Sequence, residues 1–326
     1  MQVKILGTGK YLPPRVMGND ELEDRLQVPR GWIEKRTGIV SRRVIDEGVA
    51  SVDLALPAAR QALENAGLTA ADVDVIICAS AVPEQAIPAT SCFLQAALGV
   101  SGSMCFDVNA TCFSFPVALW TAASMVQSGQ ARHVLVCSAE CSSLALDDSH
   151  PESACLFGDG AAAAVIGPTP EGERSRFVRM KVQTFSEGRH LAQLRAGGSR
   201  YPPQRHDING PVGKFRMDGK AIFKAAARHG DGFLDDFFAA SLPQAEWRLA
   251  IPHQTSVHGV SIYSRKLGFR EDQVFSNLAD HGNCVSASIP MALHDAVTGG
   301  RVRRGDPVLL LGTAAGLSLG AVGLVY

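Results

Sequence analysis

The chain has 326 residues and a mass of 34.6 kDa, a length that indicates two domains or two halves sharing one core. Hydrophobic residues make up 46% and charged residues 19%, which excludes extensive disorder, and the net charge of −1 excludes a broad basic face for nucleic acid. No apolar run reaches the roughly 20 residues that span a bilayer, and the first residues lack a secretory signal. We therefore expect a cytoplasmic protein.

Strand and helix signals alternate along the first half, which predicts α/β layers. Apolar runs predict strands over 4–7, 74–80, 104–109 and 133–138, and another apolar run covers 157–166. Periodicity predicts helices over 20–26, 52–66, 89–98 and 113–128. We expect Asn19 or Asp20 to cap the first helix and Ser51 the second. The stretch 188–213, rich in Gly, Pro, Arg and His, is predicted to be irregular and to separate two halves.

The second half repeats the first at an offset of 174 residues. Pro116 and Pro290 keep this offset within the segments Phe-Pro-Val-Ala-Leu and Ile-Pro-Met-Ala-Leu. The strand-like segments at 74–77 and 133–136 are followed at the same offset by those at 248–251 and 307–310. We predict an internal duplication, with halves 1–175 and 176–326, in which equivalent loops converge on a pseudo-two-fold axis.

Three residues on such loops have the chemistry of acyl transfer. Cys112 stands where a predicted strand meets a helix, His253 follows a buried strand, and Asn283 precedes the helix that contains Pro290. A helix start lowers the pKa of a thiol and supplies thiolate, which attacks thioesters. A neutral histidine and an asparagine amide can both donate hydrogen bonds to one enolate oxygen. Singly, each residue also fits a structural role, as a core thiol, a strand-end histidine or a turn residue.

The other cysteines of the eight fit neither a disulfide framework nor zinc-ligand spacing, and most lie in apolar runs as small hydrophobic side chains. We expect no metal site. Gly7 and Gly9 begin a phosphate-binding fingerprint but lack its third glycine, which disfavours a dinucleotide-binding module.

At these residues the sequence resembles the β-ketoacyl-ACP synthase III (KAS III) family of the thiolase superfamily, nearly from end to end. The resemblance is carried by Trp-Ile-Glu-Lys-Arg-Thr-Gly-Ile at 32–39, Phe-Asp-Val-Asn-Ala-Thr-Cys at 106–112, Leu-Phe-Gly-Asp-Gly-Ala at 156–161, Pro-His-Gln at 252–254, and His-Gly-Asn at 281–283 through Ser-Ile-Pro at 288–290. It implies a thiolase-like duplicated α/β fold with five αβαβα layers and a homodimer. It also implies an acyl carrier protein (ACP) as partner, acyl-CoA or acyl-ACP and a malonyl thioester as substrates, and no cofactor.

The same resemblance implies roles for individual residues. Cys112 becomes the acylated nucleophile, and His253 and Asn283 promote decarboxylation and stabilise the enolate. The implied oxyanion hole is formed by the backbone N–H of Cys112 with that of Ala315 or Gly316. The remaining residues bind substrate (Trp32, Arg36, Ile87 and Phe223) or dock the carrier protein (Lys224, Arg265 and Lys266). Ile87 would close the partner subunit's acyl pocket, and because it is smaller than phenylalanine we expect medium or longer acyl donors to be preferred over acetyl.

The sequence departs from the family at three places. Phe113 and Ser114 follow the nucleophile, where a small residue and a glycine are usual. The loop 313–320 has few glycines, and no arginine near Pro151 is present to clamp the adenine of CoA; His150 is the nearest substitute. These departures leave the acyl donor open between CoA and ACP.

The expected reaction is acyl transfer to Cys112 followed by decarboxylative Claisen condensation with a malonyl or 3-oxoacyl thioester, in fatty acid or specialised lipid or polyketide biosynthesis. The alternative is an acyltransferase of the same fold that passes the acyl group to an alcohol or amine without decarboxylation. A thiolase is disfavoured because 312–320 contains no second cysteine, and a non-catalytic subunit is disfavoured because Cys112 is present.

Overall fold

Two β-sheets occupy the centre of the computed structural model, which describes residues 1–261 and 268–326. The strands are β1 (Val3–Tyr11), β2 (Val16–Gly18), β3 (Ser41–Arg43), β4 (Val75–Cys78), β5 (Met104–Asp107), β6 (Val134–Glu140), β7 (Gly160–Pro168), β8 (Arg176–Thr184), β9 (Ala192–Gln193), β10 (Arg216–Met217), β11 (Leu249–Pro252), β12 (Pro307–Ala314) and β13 (Ser318–Val325). The helices are α1 (Asn19–Leu26), α2 (Trp32–Thr37), α3 (Ser51–Ala66), α4 (Thr90–Leu98), α5 (Ser114–Gln127), α6 (Pro151–Ala154), α7 (Gly219–Ala239), α8 (Leu278–His281) and α9 (Ser288–Thr298).

The first sheet has the strand order β1-β7-β6-β4-β5 and the second has the order β11-β12-β13-β8. Strands β4, β5 and β6 are parallel, as are β11 and β12, and the other pairs in these two sheets are antiparallel. Val274 extends the second sheet by one parallel bridge to Ala250, at the place that β5 occupies in the first. The two sheets therefore share one topology.

Helices α5 and α9 lie between the two sheets and form the central core with the inner faces of both. Helices α3 and α4 cover the outer face of the first sheet, and α7 covers the outer face of the second. Side chains of β4 alternate between these layers: Val75 and Ile77 belong to the central core, whereas Ile76 and Cys78 belong to the outer one. The stacking is αβαβα, and the predicted fold class is confirmed.

The offset of 174 residues holds in detail around the centre of the molecule. It relates β4 to β11, and it relates the 3₁₀ turn Thr111–Phe113 to the turn Val285–Ala287. The first residue of each turn has a positive φ, 52° at Thr111 and 47° at Val285, which is rare for side chains of this kind. The two turns lie against each other. The division of the chain into halves at residue 175 stays a prediction.

Two expectations about helix caps are wrong. Helix α1 begins at Asn19 without a side-chain cap, and the Asn19 amide instead donates to the carbonyl oxygen of Ile39 at 2.6 Å. Ser51 is the first residue of α3 and not its cap. The Glu84 carboxylate accepts from the Ser51 hydroxyl at 2.6 Å and from the Val52 N–H at 3.0 Å, so an acid from a distant loop caps this helix.

The irregular stretch 188–213 does not separate the two sheets. β7 ends at Pro168 and β8, which belongs to the second sheet, begins at Arg176, so the stretch follows the first strand of the second half. It contributes residues such as Arg189, Leu191 and Ile208 to the lining of the large cavity described below.

Gly7 and Gly9 have a packing role in β1. A Cβ at Gly7 would come within 2.4 Å of the Ala62 carbonyl oxygen, and one at Gly9 within 2.1 Å of that of Ala58. Both glycines therefore let α3 approach the sheet closely. Within the described ranges, no helix is long and apolar enough to cross a membrane.

Candidate active site

One cavity of about 2230 Å³ is lined by Cys112, His253 and Asn283 together. Cys112 and His253 each follow a strand, since Cys112 lies between β5 and α5 and His253 directly after β11, whereas Asn283 lies between the helices α8 and α9. The carboxyl ends of parallel strands are where α/β sheets bind ligands. The three residues predicted to act together are therefore brought to one place.

Cys112 is the middle residue of the 3₁₀ turn that precedes α5. The Ser114 hydroxyl fixes this turn, because it accepts from the Ala110 N–H at 2.9 Å and donates to the Thr111 carbonyl at 2.6 Å. Burial raises the pKa of the Cys112 thiol to about 12, and the nearby charge of Glu140 acts in the same direction. The expectation that the helix start lowers this pKa is wrong, because desolvation of the buried sulfur outweighs the local dipole.

Two backbone N–H groups oppose that rise by hydrogen bonding to the thiol, those of Ala315 and of Cys112 itself. The loop that contains Ala315 follows β12, and the Thr111 hydroxyl donates to the Ala315 carbonyl at 3.3 Å. Ala315 and Gly316 both line the cavity. The backbone donors predicted to form an oxyanion hole thus lie beside the sulfur, and their role stays a prediction.

His253 is only 2% exposed, and its backbone N–H donates to the Leu311 carbonyl at 2.8 Å. Gly312 leaves room for it, since a Cβ there would lie 2.6 Å from the His253 Cβ. Burial lowers the pKa of His253 to about 4, so the imidazole is neutral at neutral pH. Its Nδ1 atom is buried and has no hydrogen-bond partner within the described part of the chain. A neutral imidazole has one N–H to donate into the cavity.

The Asn283 side chain is oriented by its neighbours. Its Oδ1 atom accepts from the Val285 N–H at 2.9 Å and from the Ser288 hydroxyl at 3.4 Å. Its backbone pairs with Leu156 and Gly158, which belong to the Leu-Phe-Gly-Asp-Gly segment. Because the oxygen is held by donors, the amide NH₂ is the group that Asn283 presents to the cavity it lines.

The residues predicted to bind substrate at the entrance also line this cavity, apart from Ile87. The Arg36 guanidinium lies over the Trp32 ring, 4.7 Å from its centroid, and pairs with the Glu152 carboxylate at 3.0 Å. Phe223 on α7 is half exposed and lines the cavity. Ile87 is 82% exposed and lies on the outer surface of the subunit.

Of the residues predicted to dock the carrier protein, Lys224 is exposed on α7. Arg265 and Lys266 lie outside the described residues. His150 lines the cavity and hydrogen-bonds to the Ser153 hydroxyl at 2.8 Å. No cluster of His, Cys, Asp or Glu in 1–261 or 268–326 has the arrangement of a metal site.

Sequence reasoning missed Glu140, a fully buried carboxyl group that lines the same cavity. Burial raises its pKa to about 7. It stands at the end of β6, two residues beyond the end of the predicted strand. The signal that could have identified it is an acidic residue just after the apolar run of a predicted strand.

Comparisons with known proteins identify the family of the chain. The family model for 3-oxoacyl-(acyl-carrier-protein) synthase III matches residues 106–186, and the model for its C-terminal part matches 238–326. Beta-ketoacyl-(acyl-carrier-protein) synthase III of Rhodospirillum centenum is 39% identical over 319 residues, 97% of each chain, and that of Thiobacillus denitrificans is 36% identical over 330 residues, 99% of each chain. The crystal structure of 3-oxoacyl-(acyl-carrier-protein) synthase III from Aquifex aeolicus superposes with a TM-score of 0.90 at 35% identity, over 99% of this chain and 100% of that one.

These matches extend over essentially the whole chain and over both halves of the cavity lining. They confirm the resemblance on which the sequence interpretation depends. The chain therefore belongs to the β-ketoacyl-ACP synthase III family of the thiolase superfamily, and it is an acyl-thioester condensing enzyme.

Proposed function

We propose that the enzyme accepts an acyl group from a thioester on Cys112 and condenses it with a malonyl unit carried by ACP, as a step of fatty acid biosynthesis or a related pathway. The single observation that carries this proposal is the cavity that Cys112, His253 and Asn283 line together. The names of the relatives, each a synthase that acts on an acyl carrier protein, support the carrier.

In the first half-reaction the Cys112 sulfur forms a bond to the acyl carbon and the carbon–sulfur bond of the donor breaks. The proton of the Cys112 thiol goes to the departing thiol, so no other reactant is consumed. The developing oxyanion is stabilised by backbone N–H groups, and those of Cys112 and Ala315 already point toward the sulfur. Substrate binding has to favour the thiolate, because the resting thiol is protonated at neutral pH.

In the second half-reaction the malonyl thioester loses CO₂ and its electron pair moves to the thioester oxygen as an enolate. The neutral His253 N–H and the Asn283 amide NH₂ donate to that oxygen. The enolate carbon then attacks the acyl carbonyl, and the Cys112 sulfur leaves and takes up a proton from solvent. A protonated histidine is not required, which suits a site where burial lowers the pKa of His253 to about 4.

The assembly and the substrates complete the proposal. We propose a homodimer in which the exposed Ile87 meets the partner subunit, with ACP docking near Lys224, Arg265 and Lys266. The enzyme uses no cofactor beyond its thioester substrates. The acyl donor is an acyl-CoA or an acyl-ACP.

The test measures CO₂ release from malonyl-ACP together with the mass of the protein during turnover. His253→Ala and Asn283→Ala should each lower CO₂ release by about 10²-fold or more, the usual effect of removing one such donor. Both variants should still gain the acyl mass on Cys112. His229→Ala serves as the control, since His229 stacks on Phe185 outside the cavity. Acyl transfer to alcohols or amines without CO₂ would instead support the non-decarboxylating alternative.

A further inference from the structure

We propose that Glu140 is a positioning residue for the nucleophile: it is a buried neutral carboxylic acid in a hydroxyl network with Ser286 and Ser138, and its ionisation above neutral pH slows the reaction of Cys112. This inference rests on the proposed role of Cys112 as the nucleophile. Glu140 is the last residue of β6 and is 2% exposed. It lines the same cavity as Cys112.

The carboxyl group lies in a closed network of hydroxyl groups. Ser138 lies two residues before Glu140 and so faces the same side of β6. The Ser286 hydroxyl contacts the Ser138 hydroxyl at 2.6 Å, the Ala79 carbonyl oxygen at 3.0 Å, and the Oε1 atom of Glu140. Ser138 and Ser286 are both completely buried.

Counting protons in this network shows in which state of Glu140 every contact of Ser286 is a hydrogen bond. A hydroxyl has one proton to donate and two lone pairs that accept. The Ala79 carbonyl only accepts, so its contact with Ser286 is a hydrogen bond only when the Ser286 proton goes to it. The contacts of Ser286 with Ser138 and Glu140 are then hydrogen bonds only if both partners donate, and Glu140 can donate only when it is protonated. The contacts of Ser286 with Ala79, Ser138 and Glu140 are therefore all hydrogen bonds only when Glu140 is protonated.

The network also permits the ionised state at a cost. The Ala81 N–H donates to Oε1 at 2.7 Å, and Ser286 can turn its hydroxyl proton from Ala79 to the carboxylate. Burial raises the pKa of Glu140 to about 7, and these donors limit the rise. Glu140 therefore changes its charge near neutral pH, and Ser286 loses one hydrogen bond when it does.

Among the residues that the structure describes, no cation pairs with the Glu140 carboxyl group. Asp159, whose carboxylate also raises the pKa of Glu140, accepts from the Ile45 and Ser143 N–H groups. The other ionisable groups coupled to Glu140 are the thiols of Cys112, Cys141 and Cys284. Across the described ranges, no Lys, Arg or His forms an ion pair with Glu140.

The effect on Cys112 follows from charge. After burial, the charge of Glu140 is the largest cause that raises the pKa of the Cys112 thiol. A neutral Glu140 removes this repulsion and leaves the thiolate easier to form. Ser286, which stands 174 residues after Cys112 at the equivalent position of its turn, thus serves the nucleophile by holding the acid that acts on it.

The experiment measures the rate at which iodoacetamide alkylates Cys112 in the full-length protein between pH 5.5 and 9, with the site mapped by peptide mass spectrometry. If Glu140 stayed neutral, the rate would rise tenfold per pH unit with the thiolate fraction. We expect a shallower segment around pH 7 in the wild type, where Glu140 ionises. Glu140→Gln, a neutral side chain of the same shape, should give the full slope throughout.

The two rates should coincide below about pH 6 and differ by about tenfold at pH 9, which corresponds to a change of one unit in the pKa of the thiol. The matched control is Glu23→Gln, since Glu23 is equally buried and accepts the Gly31 and Ile33 N–H groups away from the cavity. Its profile should keep the shallow segment of the wild type.

A wild-type profile that rises with full slope through pH 7 overturns the inference, even where Glu140→Gln does not fold. A shallow segment that survives in folded Glu140→Gln overturns it as well. In both cases Cys112 remains the alkylated thiol and the proposed function stands. Alkylation that avoids Cys112 altogether contradicts the nucleophile assignment and the inference together.

Discussion

The ring of Phe113 lies directly on Gly320, so closely that a Cβ added at Gly320 would meet the ring at 2.3 Å. Phe113 follows the nucleophile in the first half of the chain, whereas Gly320 lies in β13 of the second sheet. This contact couples the Cys112 turn to the strand that follows the Ala315 loop. The large side chain that follows the nucleophile, Phe113, is thus accommodated in the central core, where Phe115 is also buried.

The first prediction concerns this contact. Gly320→Ala should lower the free energy of unfolding by about 1–3 kcal/mol, because the ring of Phe113 is completely buried and has little room to move. Phe113→Leu should relieve part of that loss, so the double variant should be more stable than the sum of the two single changes allows. Denaturant unfolding of the four proteins measures both effects, and strictly additive losses would contradict the contact.

The second prediction concerns the site of acylation. Cys112→Ala should gain no acyl mass from acyl-ACP or acyl-CoA while keeping its circular dichroism spectrum. Cys141→Ala is the matched control, because Cys141 lines the same cavity but follows β6 instead of starting the α5 turn. It should be acylated like the wild type. Intact-mass spectrometry decides the matter, and a stable adduct on Cys112→Ala would show that another thiol is the nucleophile.

The third prediction is a pH profile for decarboxylation. Since burial lowers the pKa of His253 from 6.5 to about 4, the imidazole keeps its neutral form down to about pH 5. CO₂ release by the double variant Cys112→Ala/Glu140→Gln, in which neither the nucleophile nor Glu140 titrates, should stay flat from pH 8 to about 5. It should fall about tenfold per unit below pH 4 as His253 gains a proton.

The lowered pKa of His253 also makes the stability of the fold depend on pH. An unfolded histidine binds its proton at a higher pH than buried His253, so stability declines as the pH falls from about 6.5 toward 4. Circular dichroism at each pH therefore has to accompany the rates. A loss of CO₂ release centred near pH 6.5 in folded protein would contradict a buried, neutral His253.

The central elements were predictable because their patterns are local. Continuous apolar runs identified β4 and β6, and helical periodicity identified α3 and α5 to within one residue at each end. Helix α7 was missed because Gly230 and Gly232 interrupt its helical sequence pattern and because few of its residues are fully buried. The apolar face of α7 packs on Trp247 and on the second sheet. The sequence alone does not show that these elements lie next to the helix.

The site shows the same division between local and distant effects. The Cys, His and Asn set could be found because Cys112 and His253 each follow a recognisable strand and Asn283 precedes a recognisable helix. The acidity of Cys112 could not be deduced from its helix start, because burial by residues far along the chain outweighs the local dipole. Likewise, Ser286 lies 146 residues from Glu140, so their network exists only in the folded protein.

The last prediction concerns the length of the acyl chain. Ile87 is 82% exposed, which suits a side chain that reaches into a partner subunit's acyl pocket. Isoleucine leaves more of that pocket open than phenylalanine would, and each additional buried CH₂ of a substrate contributes about 0.8 kcal/mol, or about a fourfold preference. We expect eight- and twelve-carbon donors to acylate Cys112 faster than two-carbon donors. Ile87→Phe should shift the preference toward short chains.

Acylation rates for donors of two, four, eight and twelve carbons measure that preference in both proteins. Val40→Phe is the control, because Val40 is also exposed (49%) and does not line the cavity; its profile should match the wild type. The competing explanation, in which Phe113 or Phe115 fills the acyl pocket from within the same subunit, is disfavoured because both rings pack in the central core. Identical profiles for wild type and Ile87→Phe would remove Ile87 from the pocket, and a strict acetyl preference in the wild type would show that the pocket is closed by other residues.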